Sequence, residues 1–167
     1  MRRLTFYFLL CLAVALAAVS CSSIDCPLNN SVCIKMRLAG DESVLLDTLT
    51  LSSPRTLGDE ESDTVLINRQ TALDSLKVPM SYNRPQDVYI LELVENETSA
   101  QTFDTLWVDK TNLPHFESVD CSPNMFHDIT AVSSTHHSID SIALNNNKVT
   151  YNDAQPHLII YFKSARY

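Results

Sequence analysis

The chain has 167 residues with 12 basic and 20 acidic side chains, and its formal net charge at pH 7 is −8. The length suits a single domain, and the scattered basic residues argue against nucleic acid or anionic lipid as partners, since those need clustered Lys and Arg. Only two glycines occur, Gly40 and Gly58, which excludes glycine-rich phosphate-binding loops, and no G-x-S-x-G motif is present. We therefore expect a protein that is not an enzyme and needs no cofactor.

The N-terminal segment has the layout of a secretory signal peptide. Arg2 and Arg3 precede an apolar run over residues 4–19, which is shorter than the roughly 20 residues that a membrane-spanning helix needs. The segment "AVSC", which ends at Cys21, resembles the lipobox of bacterial lipoproteins, whose cysteine becomes the acylated N-terminus. We predict a signal peptide over residues 1–20 and lipidation of Cys21. The alternative is ordinary cleavage that leaves Cys21 free or disulfide-bonded.

The residues after Cys21 bear on the location of the protein. Ser22 stands where an aspartate would signal retention in the inner membrane, and no run of acidic residues follows. Two or more acyl chains are enough to hold a soluble domain stably at a bilayer. We therefore expect a lipid-anchored outer-membrane protein, with the periplasmic face favoured over the cell surface.

The remainder of the chain divides into a tether, residues 21–32, and one domain, residues 33–167. Apolar and charged side chains alternate strictly over residues 34–38, which predicts a half-buried strand. Nine further strands are predicted from alternating or β-branched segments bounded by turn residues. They cover residues 45–51, 64–67, 76–80, 88–94, 102–108, 129–133, 139–144, 148–151 and 158–162. The polar segments "SSPRTLGDEES" (52–62) and "KTNLP" (110–114) are predicted to be a loop and a turn.

Short strands at intervals of roughly 8–15 residues, without a helical period, indicate an all-β protein. We predict an antiparallel β-sandwich, immunoglobulin-like or related, with a small β-barrel as the alternative.

A short pattern recurs five times: Asp, then Ser or Thr, then an aliphatic residue, any residue and a second aliphatic residue. The structural interpretation is that Asp and Ser/Thr bond to nearby backbone at strand entries while the aliphatic residues face the core. The alternative interpretation is O-glycosylation, because Asp-Ser/Thr-aliphatic resembles the acceptor triplet of Bacteroidetes envelope proteins. The candidate acceptors are Thr48, Thr64, Ser75, Thr105 and Ser141.

The second half of the chain, "PHFESVDCSPNMFHDITAVSSTHHSIDSIALNNNKVTYNDAQPHLIIYFK", resembles a family of uncharacterised Bacteroidetes envelope lipoproteins of about 165–170 residues. The segments "CPLNN", "DTLTL", "VLIN" and "VPMSY" are similar to that family as well. The resemblance implies a β-rich lipoprotein outside the cytoplasm. It implies no activity.

Three cysteines remain once the signal peptide and the lipidated residue are set aside: Cys26, Cys33 and Cys121. In an oxidising compartment pairing is the default, and one thiol must be left over. We favour Cys26–Cys121, which would clamp the tether to the domain. Cys33–Cys121 is the second choice and Cys26–Cys33 the third.

The segment "HFESVDCSPNMFH" allows two other interpretations. His115, Cys121 and His127 could hold zinc, but their six-residue spacings are not those of compact structural sites. Cys121 could also act as a nucleophile beside a histidine, although an oxidising compartment works against a thiolate. We predict neither a metal site nor a catalytic site here.

Three hypotheses for function follow. The leading one is a non-enzymatic envelope interaction or accessory module, held by its lipid and binding an envelope protein. The second is a glycan- or ligand-binding lipoprotein, in which Trp107, Tyr82 or Tyr89 forms a stacking surface on one concave face. The third is a metal-dependent hydrolase built on the histidine-rich C-terminal half.

Overall fold

The computed structural model describes residue 26 and residues 32–57, 60–152 and 154–167, and it contains ten strands in two sheets. The strands are β1 (Cys33–Ala39), β2 (Thr48–Leu57), β3 (Glu60–Gln70), β4 (Ser75–Pro79), β5 (Gln86–Val94), β6 (Gln101–His115), β7 (Asn124–Ser134), β8 (Ile139–Leu144), β9 (Lys148–Val149) and β10 (Leu158–Phe162). The small sheet has the order β4-β1-β10-β8 and the large sheet β3-β2-β5-β6-β7-β9. The all-β prediction and the sandwich are confirmed, and within these residues neither sheet closes into a barrel.

The core lies between the two sheets. Alternate side chains of β1 and β5 are buried, as the period of two in a strand requires. One apolar cluster takes Ile34 and Met36 from the small sheet together with Leu91 and Leu106 from the large one. Among the described residues no helix is long and apolar enough to cross a bilayer.

The first and last strands of the domain are neighbours. β1 pairs in parallel with β10, from Met36 opposite Leu158 to Ala39 opposite Tyr161, and antiparallel with β4 on its other side. Every other named strand pair is antiparallel. The predicted antiparallel sandwich therefore contains one parallel pair, which lies inside the small sheet.

Two segments predicted to be irregular are strands. Residues 52–57 and 60–62 of the predicted loop form the far part of the β2–β3 hairpin, which is paired as far as Leu57 opposite Glu60. The predicted turn 110–114 continues β6 to His115, which pairs with Asn124 of β7. Both predictions were wrong because a hairpin that extends past the core needs only backbone hydrogen bonds, so its side chains can be polar on both faces.

Both aliphatic residues of the recurring Asp-Ser/Thr pattern are buried at three of its five copies, which begin at residues 47, 74 and 104. At the other two copies Val65 and Leu144 are exposed, but Ile67 is buried in the core and Ile142 packs against it. The structural interpretation of the pattern therefore applies fully to three copies and in part to two.

Asp104 shows the strongest polar role of the pattern. Its carboxylate is buried and accepts hydrogen bonds from the backbone N–H groups of His137, Ser138 and Ile139 and from the hydroxyls of Thr135 and Ser138. Burial raises the pKa of Asp104, but these hydrogen bonds lower it more, so the pKa lies below its usual value. The predicted local backbone bonding is replaced here by a contact that ties β6 to the entry of β8.

Candidate functional site

The described residues enclose an open cavity of about 590 Å³ between the β2–β3 hairpin and the β4–β5 loop. Pro54 and Arg55 line it from β2, Leu66 from β3, and Tyr82 and Arg84 from the loop. The hairpin is paired as far as Leu57 opposite Glu60, and the loop after β4 lines the cavity across from it. The wrong loop prediction for residues 52–62 therefore falls on the segment that forms one wall of this site.

Lys110 holds the loop that forms the other wall. Its side chain is fully buried, and its Nζ donates to the backbone oxygens of Ser81 and Arg84 and, at 2.8 Å, to Oδ1 of Asn112. The Nζ–O distance to Arg84 is 2.9 Å. An ammonium group has three N–H donors, and these three acceptors use all of them.

Asp87 is the buried counter-charge. Its Oδ2 is 3.6 Å from Nζ of Lys110, and it accepts a hydrogen bond of 3.2 Å from the backbone N–H of Ser81. Burial raises the pKa of Asp87, an effect that Lys110 partly offsets, and burial likewise lowers the pKa of Lys110, partly offset by Asp87. Asp87 and Lys110 together hold the backbone of the β4–β5 loop through hydrogen bonds to Ser81 and Arg84.

His127 extends this buried network. Its Nδ1 is 2.8 Å from Oδ1 of Asn112, which also accepts from Lys110, so Nδ1 carries the proton and donates. Its Nε2 is buried without a hydrogen-bond partner. Burial, together with the nearby charge of Lys110, lowers the pKa of His127 to about 4. The imidazole is therefore neutral at pH 7 and supports Asn112 within the network.

The mouth of the cavity carries two guanidinium groups and one aromatic ring. Arg84 donates from Nη1 to the backbone oxygen of Pro54 at 2.9 Å and so joins the loop to the hairpin. Arg55, Tyr82 and Asn83 are exposed beside it. Guanidinium groups bind carboxylates and phosphates, and an exposed aromatic ring can stack on a planar or sugar ligand. The mouth can therefore hold a ligand that has an anionic group next to an apolar or sugar face.

A second cavity of about 390 Å³ adjoins the first. Tyr82 and Asn83 line both cavities, and Pro123 and Met125 complete the second one. Pro123 follows Cys121 by two residues, so the combined groove runs from the β2–β3 hairpin to the disulfide region of the β6–β7 hairpin.

The three aromatic residues predicted to form one stacking surface are separated. Tyr89 is buried, and its hydroxyl donates to the backbone oxygen of Pro79 at 3.1 Å. Trp107 is half-buried on β6 opposite Val88 and is not among the residues that line either cavity. Only Tyr82 is exposed at the mouth, so a stacking surface of three coplanar rings does not form.

Sequence reasoning missed Asp87, Lys110 and the two arginines. The burial of Lys110 could have been predicted from the sequence. Residues 104, 106 and 108 face the core at every second position of β6, and residue 110 continues this period. A charged residue at an inward position needs a buried partner. The interpretation of residues 110–114 as a turn hid this signal.

Cys26 and Cys121 form a disulfide bond, with their Cα atoms 5.5 Å apart, and Cys33 is the free thiol among the cysteines that the structure describes. This is the favoured pairing, and the alternative partner Cys33 was wrong. The bond removes Cys121 from the considered zinc and nucleophile sites, and His115 stacks instead on Phe126 at 4.3 Å. In the part of the chain that the structure describes, no three His, Cys, Asp or Glu side chains are grouped as metal ligands.

The candidate O-glycosylation residues differ in exposure. Thr64 and Ser141 are exposed, while Thr48, Ser75 and Thr105 are half-buried. Thr48 donates to Oδ1 of Asn96 and Ser75 to Oδ1 of Asp74. The structure therefore leaves Thr64 and Ser141 the most accessible, and glycosylation stays a prediction. The predicted signal peptide and Cys21 lie outside the described residues, as does the predicted tether apart from Cys26 and Val32.

Comparison with known proteins adds the family. No curated protein and no solved structure matches this chain. A family model, described as a family of unknown function (DUF6452), matches residues 48–162, which run from the first residue of β2 to the last residue of β10. Because the match covers more than half of the chain and every named strand except β1, the protein belongs to the DUF6452 family of unknown function.

Proposed function

We propose that this protein is a non-enzymatic binding module of a bacterial cell envelope, lipid-anchored at the outer membrane through Cys21 and facing the periplasm. Its resemblance to Bacteroidetes envelope lipoproteins and the "AVSC" segment support the anchor. The proposed binding site is the groove between the β2–β3 hairpin and the loop that carries Tyr82. The observation that carries the proposal is that this groove has a wall held rigid by a buried ion pair and exposes Arg55, Arg84 and Tyr82 at its mouth.

The roles of the buried charges support binding over catalysis. Residues with shifted pKa values in a cleft are candidates for proton transfer. Here Lys110 uses its three donors on Ser81, Arg84 and Asn112, and Asp87 accepts from the backbone of the same loop. Proton transfer by either group would break the loop that shapes the groove. A rigid wall reduces the conformational entropy lost when a ligand binds.

We propose an envelope protein segment with an acidic side chain as the ligand. The whole chain is acidic, so two arginines at one mouth form a local positive site that would attract a carboxylate. A glycan is the second candidate, favoured by the exposed ring of Tyr82 beside the arginines. Nucleic acid is not proposed, because the chain has a formal net charge of −8 and its basic residues after Arg3 are scattered singly along the sequence.

Site-specific photo-crosslinking in native membranes tests the proposal. A photoreactive phenylalanine analogue at Asn83, which lines both cavities, is expected to capture a discrete protein, and the capture should fall at least tenfold in an Arg84→Ala variant. The same analogue at Ala143, which is exposed on β8 of the other sheet, is the control. Equal capture from both positions would contradict the groove as the binding site.

Two further measurements address the anchor and the absence of catalysis. Mass spectrometry of the N-terminal peptide should show acyl chains on Cys21, and a Cys21→Ala variant should leave the membrane fraction. Turnover of any substrate by the purified protein in a broad hydrolase screen, abolished by Lys110→Met, would overturn the non-enzymatic proposal.

A further inference from the structure

The end of the β6–β7 hairpin exposes apolar side chains that the core does not use. Leu113 is 40% exposed, Phe116 63% and Val119 97%. These residues lie on or beside the turn between His115 of β6 and Asn124 of β7. We call residues 113–119 the hairpin tip. Isolated apolar residues are common on surfaces, but three at one projecting turn need a further observation to give them meaning.

The disulfide supplies that observation. Cys121 is two residues beyond Val119, and it is bonded to Cys26, only five residues after Cys21 in the sequence. Five residues of fully extended chain reach at most about 18 Å. Val32, eleven residues after Cys21, is the first buried residue that the structure describes. A tether that is held only from Val32 would reach about 40 Å. The disulfide therefore limits the distance between Cys21 and Cys121, which follows the hairpin tip, to about 24 Å.

We infer that the hairpin tip rests on the surface of the lipid bilayer and orients the domain there. This inference depends on the proposed lipidation of Cys21, since an acylated cysteine lies at the membrane surface. Val119 lies at most about 31 Å from that point, because the disulfide and two residues of chain add to the reach of the five-residue segment. The tip can therefore reach the headgroup layer, and Phe116 and Val119 gain free energy by leaving water.

The charged residues at the tip determine how deeply it enters the bilayer and which lipid headgroups it can contact. Glu117 within the tip and Asp120 directly after it are exposed, and carboxylates are costly in the hydrocarbon layer. The tip therefore lies among the headgroups, without spanning the acyl chains. Carboxylates are also repelled by anionic lipid, so the fitting surface is a zwitterionic bilayer such as phosphatidylethanolamine with phosphatidylcholine.

In this orientation the two ends of β6 lie at different distances from the bilayer surface. Phe103 lies near the start of this strand and is 51% exposed, similar to Phe116. The twelve residues from Phe103 to His115 span about 40 Å of antiparallel strand. Phe103 is therefore a matched control, since it shares residue type and a similar exposure with Phe116, which directly follows β6, but lies far from the anchored end.

The test uses the full-length lipidated protein reconstituted in zwitterionic nanodiscs with and without lipids brominated on the acyl chains near the headgroup. Tryptophan is introduced as Phe116→Trp, Val119→Trp or Phe103→Trp, and the signal of the native Trp107 is subtracted using the unsubstituted protein. We expect bromine to quench the added tryptophan at positions 116 and 119 by at least a third, and at position 103 by less than a tenth. Mass spectrometry of each sample first counts the acyl chains.

Each outcome decides between the two proposals. A sample without acyl chains on the N-terminal cysteine overturns both the anchor and the membrane contact. An acylated sample in which positions 116 and 119 are quenched no more than position 103 overturns the membrane contact alone. In a Phe116→Trp variant that also carries Cys26→Ser and Cys121→Ser, the quenching should fall by half or more, because the longer tether releases the tip. Unchanged quenching would show that the disulfide does not set the orientation.

Discussion

Protonation of His127 should weaken the fold between pH 7 and pH 5. The imidazole donates from Nδ1 to Asn112, and its buried Nε2 has no partner. A proton added at Nε2 would place a second positive charge near Lys110 without an acceptor. Replacing His127 by Asn keeps an N–H donor for Asn112 and removes the titrating group. The variant is expected to be less stable at neutral pH but less sensitive to acid.

The size of the effect follows from the two pKa values. Folding lowers the pKa of His127 from 6.5 to about 4, so the neutral form contributes stability that is complete above pH 6.5 and is lost as the pH falls toward 4. At pH 5 the unfolded chain binds nearly a full proton at this site and the folded chain about a tenth of one, which lowers the free energy of unfolding by about 2 kcal/mol. For a domain of this size the melting temperature would fall by about 4–8 °C.

Urea unfolding at pH 8, 7, 6 and 5 measures this effect. The difference in the free energy of unfolding between the native protein and His127→Asn should be constant from pH 8 to 7 and shrink by about 2 kcal/mol from pH 7 to 5. The interval above pH 7 serves as the internal control. If the free energies of unfolding of the two proteins change in parallel from pH 8 to pH 5, the buried neutral imidazole is refuted. A difference that grows in acid would mean that folding raises the pKa of His127.

Three further predictions concern stability. Replacing both Cys26 and Cys121 by serine should lower the free energy of unfolding by about 4–5 kcal/mol, the chain-entropy value for a loop of this length. Lys110→Met should cost about 3–5 kcal/mol because it leaves a buried carboxylate without its counter-charge, whereas Lys148→Met, at an exposed ion pair, should cost less than about 1 kcal/mol. Asp104→Asn should cost about 3 kcal/mol by disrupting buried hydrogen bonds. Because the pKa of Asp104 is lowered on folding, the carboxylate contributes stability above the unfolded pKa near 4, and the difference from the variant should shrink as the pH falls below it.

Urea titration of the purified variants measures all three changes. A double-serine protein as stable as the native one would mean that the unfolded chain is already constrained or that the bond strains the fold. Equal losses at Lys110 and Lys148 would contradict the buried ion pair. A difference between Asp104→Asn and the native protein that does not change down to pH 2.5 would contradict the lowered pKa.

The sequence predicted those strands whose pattern was set by the core. Residues 139–144 and 158–162 were predicted with the bounds that the structure has, because short apolar segments there are bounded by turn residues. The predicted strand 45–51 begins only at Thr48, since Leu45 forms an isolated bridge with Leu73. The parallel contact of β1 with β10 could not be predicted, because it joins segments more than 110 residues apart and no local pattern encodes that choice.

The candidate site was less predictable than the fold. Its groove forms where the β2–β3 hairpin meets a loop some 30 residues later, and neither segment carries an apolar pattern of its own. Residues 52–62 were predicted to be a loop because they are polar. An alternating apolar pattern marks a strand with a buried face, and a hairpin that extends past the core buries few side chains. The disulfide was predictable in part, since the three cysteines outside the predicted signal peptide and lipidation site allowed only three pairings.

The parallel contact between β1 and β10 has a consequence for the order in which the chain can fold. β1 lies between β4 and β10, so half of its backbone hydrogen-bonding groups have no strand partner until residues 158–162 are available. A chain that emerges from a translocon or a ribosome with its N-terminus first can assemble the β2–β3 and β5–β6 hairpins early. The small sheet cannot be completed until almost the last residues are available. Deletion of the C-terminal ten residues, which include β10, should still allow the hairpins of the large sheet to form. The unpaired edge of β1 would then be exposed to other chains.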